Sequence, residues 1–135
     1  MDTNVLIAGL RSKRGASHQL LRLVGTGVFD LNLSVPLVFE YEAVGKRQAP
    51  ELGLNPGEID AVVDFLCRAG EHREIFFLWR PTLRDSGDDF VLELAVECAA
   101  DYLVTFNKRD FSEASRFGLK VVSPREFLEE LGGEP

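Results

Sequence analysis

Apolar positions along this chain alternate between helical and strand-like spacing. Met1-Asp2-Thr3-Asn4 leads into the apolar run Val5-Leu6-Ile7, and Gly9 and Gly15 bracket a basic segment with Arg11, Lys13 and Arg14. Between Ser17 and Val24, Leu20, Leu21 and Val24 fall at helix spacing, and Gly25 and Gly27 stop the run. Phe29, Leu31 and Leu33 alternate with Asp30 and Asn32, which predicts a strand with one solvated face or a strand near an edge. Ser34 and Pro36 then open a helix whose apolar stripe is Leu37, Tyr41 and Val44, with Ala49 to Leu54 as a loop. Asn55-Pro56-Gly57-Glu58 is a helix start with a capping Asn, a Pro at the first helical position and a Glu three residues after the cap. That helix runs through Ile59, Val62, Val63 and Leu66 to Gly70.

The second half continues the alternation. Ile75 to Trp79 reads as a buried strand, Arg84 to Asp89 as an acidic turn, and Phe90 to Ala99 as a helix. Tyr102-Leu103-Val104 and Leu119 to Val122 are further strands. Ser123-Pro124-Arg125-Glu126 caps a last helix bearing Phe127, Leu128 and Leu131, ended by Gly132-Gly133. Strands alternating with helices predict a parallel sheet covered by helices. In such sheets functional groups gather at the carboxyl ends of the strands, where the acids of interest fall.

The length of 135 residues is that of one domain, expected to span 1–135, and an apolar fraction of 45% can fill its core. No apolar run approaches the ~20 residues that cross a bilayer. The start lacks a basic region ahead of an apolar one, so a cytoplasmic protein without a membrane association is expected. Cys67 and Cys98 sit among apolar residues and have no Cys-x-x-Cys partner, and His18 and His72 lie far from both, which argues against a zinc site. A net charge of −7 argues mildly against nonspecific binding to a polyanion, but metal-bound carboxylates attract phosphate despite their sign.

Each acid alone has an ordinary reading. Asp2 fits a loop before a helix, Asp88 and Asp89 fit helix caps, Glu40 a solvated helix face, and Asp110 the cap of a short segment. Together they form a pattern. Asp2-Thr3-Asn4-Val5-Leu6-Ile7 resembles the opening of the PIN-domain family, and the stretch from Leu33-Ser34 to Phe39-Glu40 resembles its second motif, a strand-ending Ser before a Glu-bearing helix. Asp85-Ser86-Gly87-Asp88-Asp89 with the following Phe90 to Ala95 is similar to the third motif. The stretch from Ala100 to Phe111, with Val104-Thr105 ahead of Asn107 and Asp110, resembles the fourth. Gly15-Ala16-Ser17-His18-Gln19-Leu20-Leu21 resembles the members that serve as toxin components of bacterial toxin–antitoxin pairs.

The resemblance covers almost the whole chain. It implies an α/β three-layer sandwich with a central parallel sheet of four or five strands flanked by helices. It implies Asp2, Glu40, Asp89 and Asp110 as catalytic acids and Asp2, Asp89 and Asn107 as metal ligands. Either Asn107 or Asp110 is the fourth member of the set, and Asp89 is favoured over Asp88 by its distance to Val104-Thr105. Two departures stand out. Only Met1 precedes Asp2 where the family has a short apolar strand, so the first strand is expected to be truncated. Asn107 stands where many members have Asp, supplying an amide oxygen without a charge.

Clustered carboxylates repel one another until a cation neutralises them, and an all-oxygen set without Cys or His selects Mg2+ or Mn2+. Such a cation polarises a phosphodiester and orients water. The resemblance therefore implies a metal-dependent endoribonuclease that leaves a 5′-phosphate and a 3′-hydroxyl. Its expected partners are the RNA substrate, an antitoxin protein and a second copy of itself. A two-fold patch would come from the helix around Leu37, Tyr41 and Val44 or the one around Ile59 and Val63. Thr3 and Thr105 fit hydrogen bonds to the acids, or ordinary turn and strand-end positions. Arg11, Lys13, Arg14, Lys108 and Arg109 fit RNA backbone contacts, or ordinary solvated charge. Two other functions compete: a PIN fold that binds RNA or protein without catalysis, and a magnesium-dependent phosphatase or phosphoacceptor domain. The last is disfavoured because no second acid follows Asp2 at the Asp-x-Asp spacing.

Overall fold

A computed structural model describes residues 1–72, 94–96, 100–111 and 118–132. Helix α1 (Thr3–Arg11) begins directly after Asp2, whose φ of −67° and ψ of 150° are those of an N-cap. The run Val5-Leu6-Ile7 is thus the buried face of a helix. Gly9 lies inside this helix, so the exposed basic segment is confined to Arg11 and the turn after it. A Cβ on Gly9 would come within 2.4 Å of Leu21 Cδ1, so glycine there allows α2 (Ala16–Leu23) to pack tightly on α1.

Strand β1 is only Asn32–Leu33, shorter than the alternation from Phe29 predicted. Gly25 and Gly27, both at positive φ, turn the chain late. Phe29 packs edge-to-face on Phe127 at a centroid distance of 5.4 Å. Helix α3 (Val35–Leu52) is capped by Ser34. It runs through Pro50, correcting the loop expected at 49–54. Pro50 lies in the last turn, where few downstream residues depend on it. Ala49 is anchored in the core, and Gly53, at φ 73°, closes the end with its N–H on the carbonyls of Ala49 and Pro50.

Helix α4 (Pro56–Ala69) starts with the capping box read in the sequence. The Glu58 N–H donates to Asn55 Oδ1 at 2.8 Å, and the Asn55 N–H donates to Glu58 Oε1 at 3.0 Å. Gly45 of α3 faces Ile59 so closely that a Cβ would sit 2.9 Å from its Cγ2, which sets the α3–α4 approach. Strand β2 (Glu71–His72) pairs with β1 in parallel, Asn32 opposite Glu71. Strand β3 (Tyr102–Val104) pairs in parallel with β4 (Lys120–Val122), and α5 (Pro124–Gly132) follows. Ser123 and Glu126 form a reciprocal cap at its start: the Ser123 N–H donates to Glu126 Oε1 at 2.8 Å and the Glu126 N–H to Ser123 Oγ at 3.2 Å.

The fold is α/β. Among the described residues, both strand pairings are parallel. The strand expected at Ile75 to Trp79 and the acidic turn at Arg84 to Asp89 lie outside them. Of the helix expected over Phe90 to Ala99, residues 94–96 are described and are helical. The larger core cluster joins Leu33, Leu37, Tyr41, Ile59 and Leu66 to Leu103, and a smaller one joins Val5, Leu20, Val104, Val122 and Phe127. Leu37, Tyr41, Ile59 and Val63 are therefore interior, and they do not form the two-fold surface patch expected of them. The exposed large hydrophobic residues of those helices are Val35, Phe39 and Phe65. No helix among the described residues is long and apolar enough to cross a membrane.

Candidate active site

Asp2 enters the site from the chain start but is fixed there by backbone and side chain. Its N–H donates to the Val104 carbonyl at 2.9 Å, extending the pairing at the end of β3. The Tyr41 hydroxyl, from the interior of α3, donates to the Met1 carbonyl. Only 5% of Asp2 is exposed, so its carboxylate needs hydrogen-bond donors. Thr105, fully buried at the end of β3, donates its hydroxyl to Asp2 Oδ2 at 2.6 Å and accepts the Asn107 N–H at 3.0 Å. Thr3 donates its hydroxyl to Glu40 Oε2 at 2.5 Å. Both threonines therefore hold acids.

Asp2, Thr3, Glu40 and Asn107 open on one cleft of about 700 Å³. One wall is a face of α1 (Asn4, Ile7, Ala8 and Arg11), recurring every three or four residues as a helix face must. The facing wall is the corresponding face of α3, from Glu40 through Ala43 and Val44 to Arg47 and Gln48. Asp2, Thr3, Phe106 and Asn107 close one end. Asp2, Glu40 and Asn107, separated by 38 and 67 positions in the sequence, thus share one wall system. Asp110 does not line the cleft. Its N–H caps a tight turn by donating to the Asn107 carbonyl at 3.0 Å. Asp88 and Asp89 lie outside the described residues.

Tyr41 reports the local field. Burial raises its phenol well above the ordinary value near 10, and the neighbouring carboxylates of Asp2 and Glu40 raise it further. It therefore stays protonated and keeps its bond to Met1.

The donor chemistry of the cleft fits a hard divalent cation: the carboxylates of Asp2 and Glu40 and the amide of Asn107, with no sulfur or imidazole on its walls among the described residues. Among the described residues no three acidic, histidine or cysteine side chains gather closely enough to hold a metal ion by themselves. His18 of α2 is turned away from such a role, its Nδ1 lying 3.1 Å from the Gly9 carbonyl.

The basic residues divide. Arg11 lines the cleft and donates from Nη2 to Gln48 Oε1 at 3.2 Å. Lys13 and Arg14 are exposed beyond the end of α1 and do not line it. Lys108 pairs with Glu126 at 2.9 Å, and Arg109 is exposed outside the cleft walls. Arg47, Gln48 and Phe106 are cleft residues that sequence reasoning passed over. The first two lie seven and eight positions after Glu40, two turns further along the same helical face, a signal the sequence does contain.

Compared with known families, residues 1–109 match a family model described as a PIN domain. No curated protein and no solved structure matches the chain.

Proposed function

Because the chain belongs to the PIN-domain family, whose members are generally nuclease modules, we propose that it is a Mg2+- or Mn2+-dependent endoribonuclease. The observation that carries this reading is the meeting of Asp2, Glu40 and Asn107 in one cleft, from three distant parts of the sequence. Asp2 and Asn107, joined by Asp89, would hold the metal, with Glu40 at the same site. When bound, the ion would polarise the phosphodiester and favour water as the nucleophile. The protein's own part is positional. Thr105 orients Asp2 and the Asn107 backbone together, and Thr3 fixes the Glu40 carboxylate on the opposite wall. Asp110 enters as a further acid on the family resemblance alone.

The finer assignments belong to the same proposal: a sheet of four or five parallel strands, a cytoplasmic toxin component that meets an antitoxin, and self-association. The toxin assignment is supported by the resemblance of Gly15 to Leu21 to toxin-type members, and the others follow from the family. A second reading, a PIN fold kept as an RNA- or protein-binding module, is favoured by one observation, the uncharged amide of Asn107 at the cleft.

The two readings part in one experiment. Single-stranded RNA is incubated with the protein in Mn2+, in Mg2+ or in chelator, alongside Glu40→Gln and Asp89→Asn. The nuclease reading expects metal-dependent cleavage by the wild type and its loss in both variants, with unchanged circular dichroism. RNA binding without cleavage in either metal would favour the binding module.

A further inference from the structure

The groove between α1 and α3 has two chemically different ends. At one, Thr3 bonds Glu40, and at the other Arg11 bonds Gln48. Both pairs are 37 residues apart, so the two helices run side by side in the same direction with a constant register. The second pair lies eight residues further along each helix, ~12 Å at 1.5 Å per residue. The acidic end also holds Phe106. Its ring belongs to a residue that is 50% exposed although aromatic, and it lies next to Asn107 on the cleft wall. Its N–H is 3.5 Å from Asn4 Oδ1, which sets the backbone of Phe106 against the start of α1. The far end carries Arg11 and the exposed Arg47.

We propose that this groove grips single-stranded RNA at two points: a nucleobase stacked on Phe106 beside the carboxylates, and a backbone phosphate held by Arg11 and Arg47 two helical turns away. The proposal rests on the nuclease reading for its choice of polymer. Its geometry sets the substrate class. The axial offset of ~12 Å between the Thr3–Glu40 and Arg11–Gln48 pairs corresponds to about three stacked nucleotides at ~3.4 Å each. A base reaches an aromatic face only when it is unpaired, so a duplex cannot use both points. Stacking tolerates any base because each has a π-face, and arginines on phosphate carry no sequence information. The grip therefore selects strandedness and length rather than sequence. Local contacts of this kind do not require a net positive chain, whose charge here is −7.

The test is fluorescence anisotropy of a short, unstructured, fluorescein-labelled oligoribonucleotide with the full chain, in chelator so that nothing is cut. Phe106→Ala should weaken binding at least about fivefold, and Phe106→Trp should retain it. Arg11→Ala and Arg47→Ala should each lower the slope of log affinity against log salt by about 0.7, which Phe106→Ala should not change. A version of the oligomer with abasic sites should bind the wild type more weakly but lose nothing further with Phe106→Ala. Equal binding of the duplex and the single strand would overturn the proposal. So would wild-type affinity in Phe106→Ala, or wild-type salt slopes in both arginine variants. Cleavage assays separate this from the underlying reading. If Glu40→Gln abolishes cleavage while the Phe106 and arginine variants bind and cut normally, the two-point grip falls and the nuclease stands. If the wild type cuts nothing but these variants lose binding as stated, the grip stands and the nuclease falls.

Discussion

Thr105→Val isolates the hydrogen bonding that fixes Asp2. Valine has the shape of threonine, so the fully buried site keeps its packing and no cavity forms. What disappears is the hydroxyl that donates to Asp2 Oδ2 at 2.6 Å and accepts the Asn107 N–H at 3.0 Å. The second loss is mild, because Asn107 is exposed and water can replace the partner. The first is not, because Asp2 is 5% exposed and a bond to a charged group is worth ~1.5–3 kcal/mol. The expected destabilisation is ~2–3 kcal/mol, or roughly 6–12 °C in melting temperature for a chain of this size. Partners that orient a metal-binding group typically cost 10–100-fold in metal affinity or activity when removed, so half-saturation by Mn2+ in the cleavage assay should rise by at least about tenfold. Thr105→Ser is the control. It loses a methyl group, with a packing cost of ~1 kcal/mol, but keeps the hydroxyl and should keep the metal response. If the serine variant loses metal response and the valine variant does not, the hydroxyl is not what positions Asp2.

Other consequences can be checked more simply. Asn55→Ala removes the side-chain half of the α4 capping box and should cost ~1 kcal/mol in urea denaturation with cleavage unaffected, since α4 does not line the cleft. Glu126 is held below the ordinary glutamate range by the Ser123 N–H and Lys108, and Glu130 by Lys120 and Tyr102. Lowered folded values stabilise above the unfolded value of ~4.3, and that stability is lost as pH falls through the folded values. The double variant Glu126→Gln with Glu130→Gln should therefore show a flatter urea midpoint against pH below about 4.3. Tyr41, raised by burial, carries the opposite sign: its contribution is full below the unfolded value near 10 and falls as pH rises beyond it. Tyr41→Phe should be less stable than wild type at neutral pH, and the gap should narrow above pH ~10, as followed by circular dichroism.

Local chemistry was readable where a residue type does one thing. Asn55-Pro56-Gly57-Glu58 and Ser123 with Glu126 announced their helices because reciprocal side-chain-to-backbone bonds need those residues at that spacing. Tyr102-Leu103-Val104 was legible as a buried strand for its β-favouring run. Pro50 misled because proline breaks a helix only when enough of the helix depends on the lost bond, and here Gly53 ends it three residues later. The run Val5-Leu6-Ile7 carries no period of its own, and its helix is set by burial against α2 and α3. Asp2, Glu40 and Asn107, which share the cleft, were singled out through the motif resemblance. Arg47 was passed over because basic residues were sought beside the motifs in sequence, where Lys13, Arg14, Lys108 and Arg109 stand. The helix period instead brings Arg47 along the face that begins at Glu40. Phe106 escaped for a different reason: an apolar side chain is read as core, and only the structure shows half of it in solvent.

The separation of charge along the groove resolves a conflict built into any acidic nuclease. Its site must attract a cation, and its substrate is a polyanion. Arginines within ~4–6 Å of Asp2 and Glu40 would pair with them and compete with the cation. Carboxylates lining the whole groove would repel the strand. Here the two demands fall on opposite ends of the same pair of helices. Arg11 and Arg47 leave their helices about two turns beyond Thr3 and Glu40, ~10–12 Å along the helix axis. Ala8 and Val44, one turn from either end, carry no charge to bridge the gap. Arg11 is also steadied by a neutral partner, Gln48, rather than by an acid. Its full charge remains available to a phosphate. The constant register of α1 against α3 is what keeps the two ends apart. Gly9 and Gly45 let each of these helices press against its other neighbour, α2 and α4.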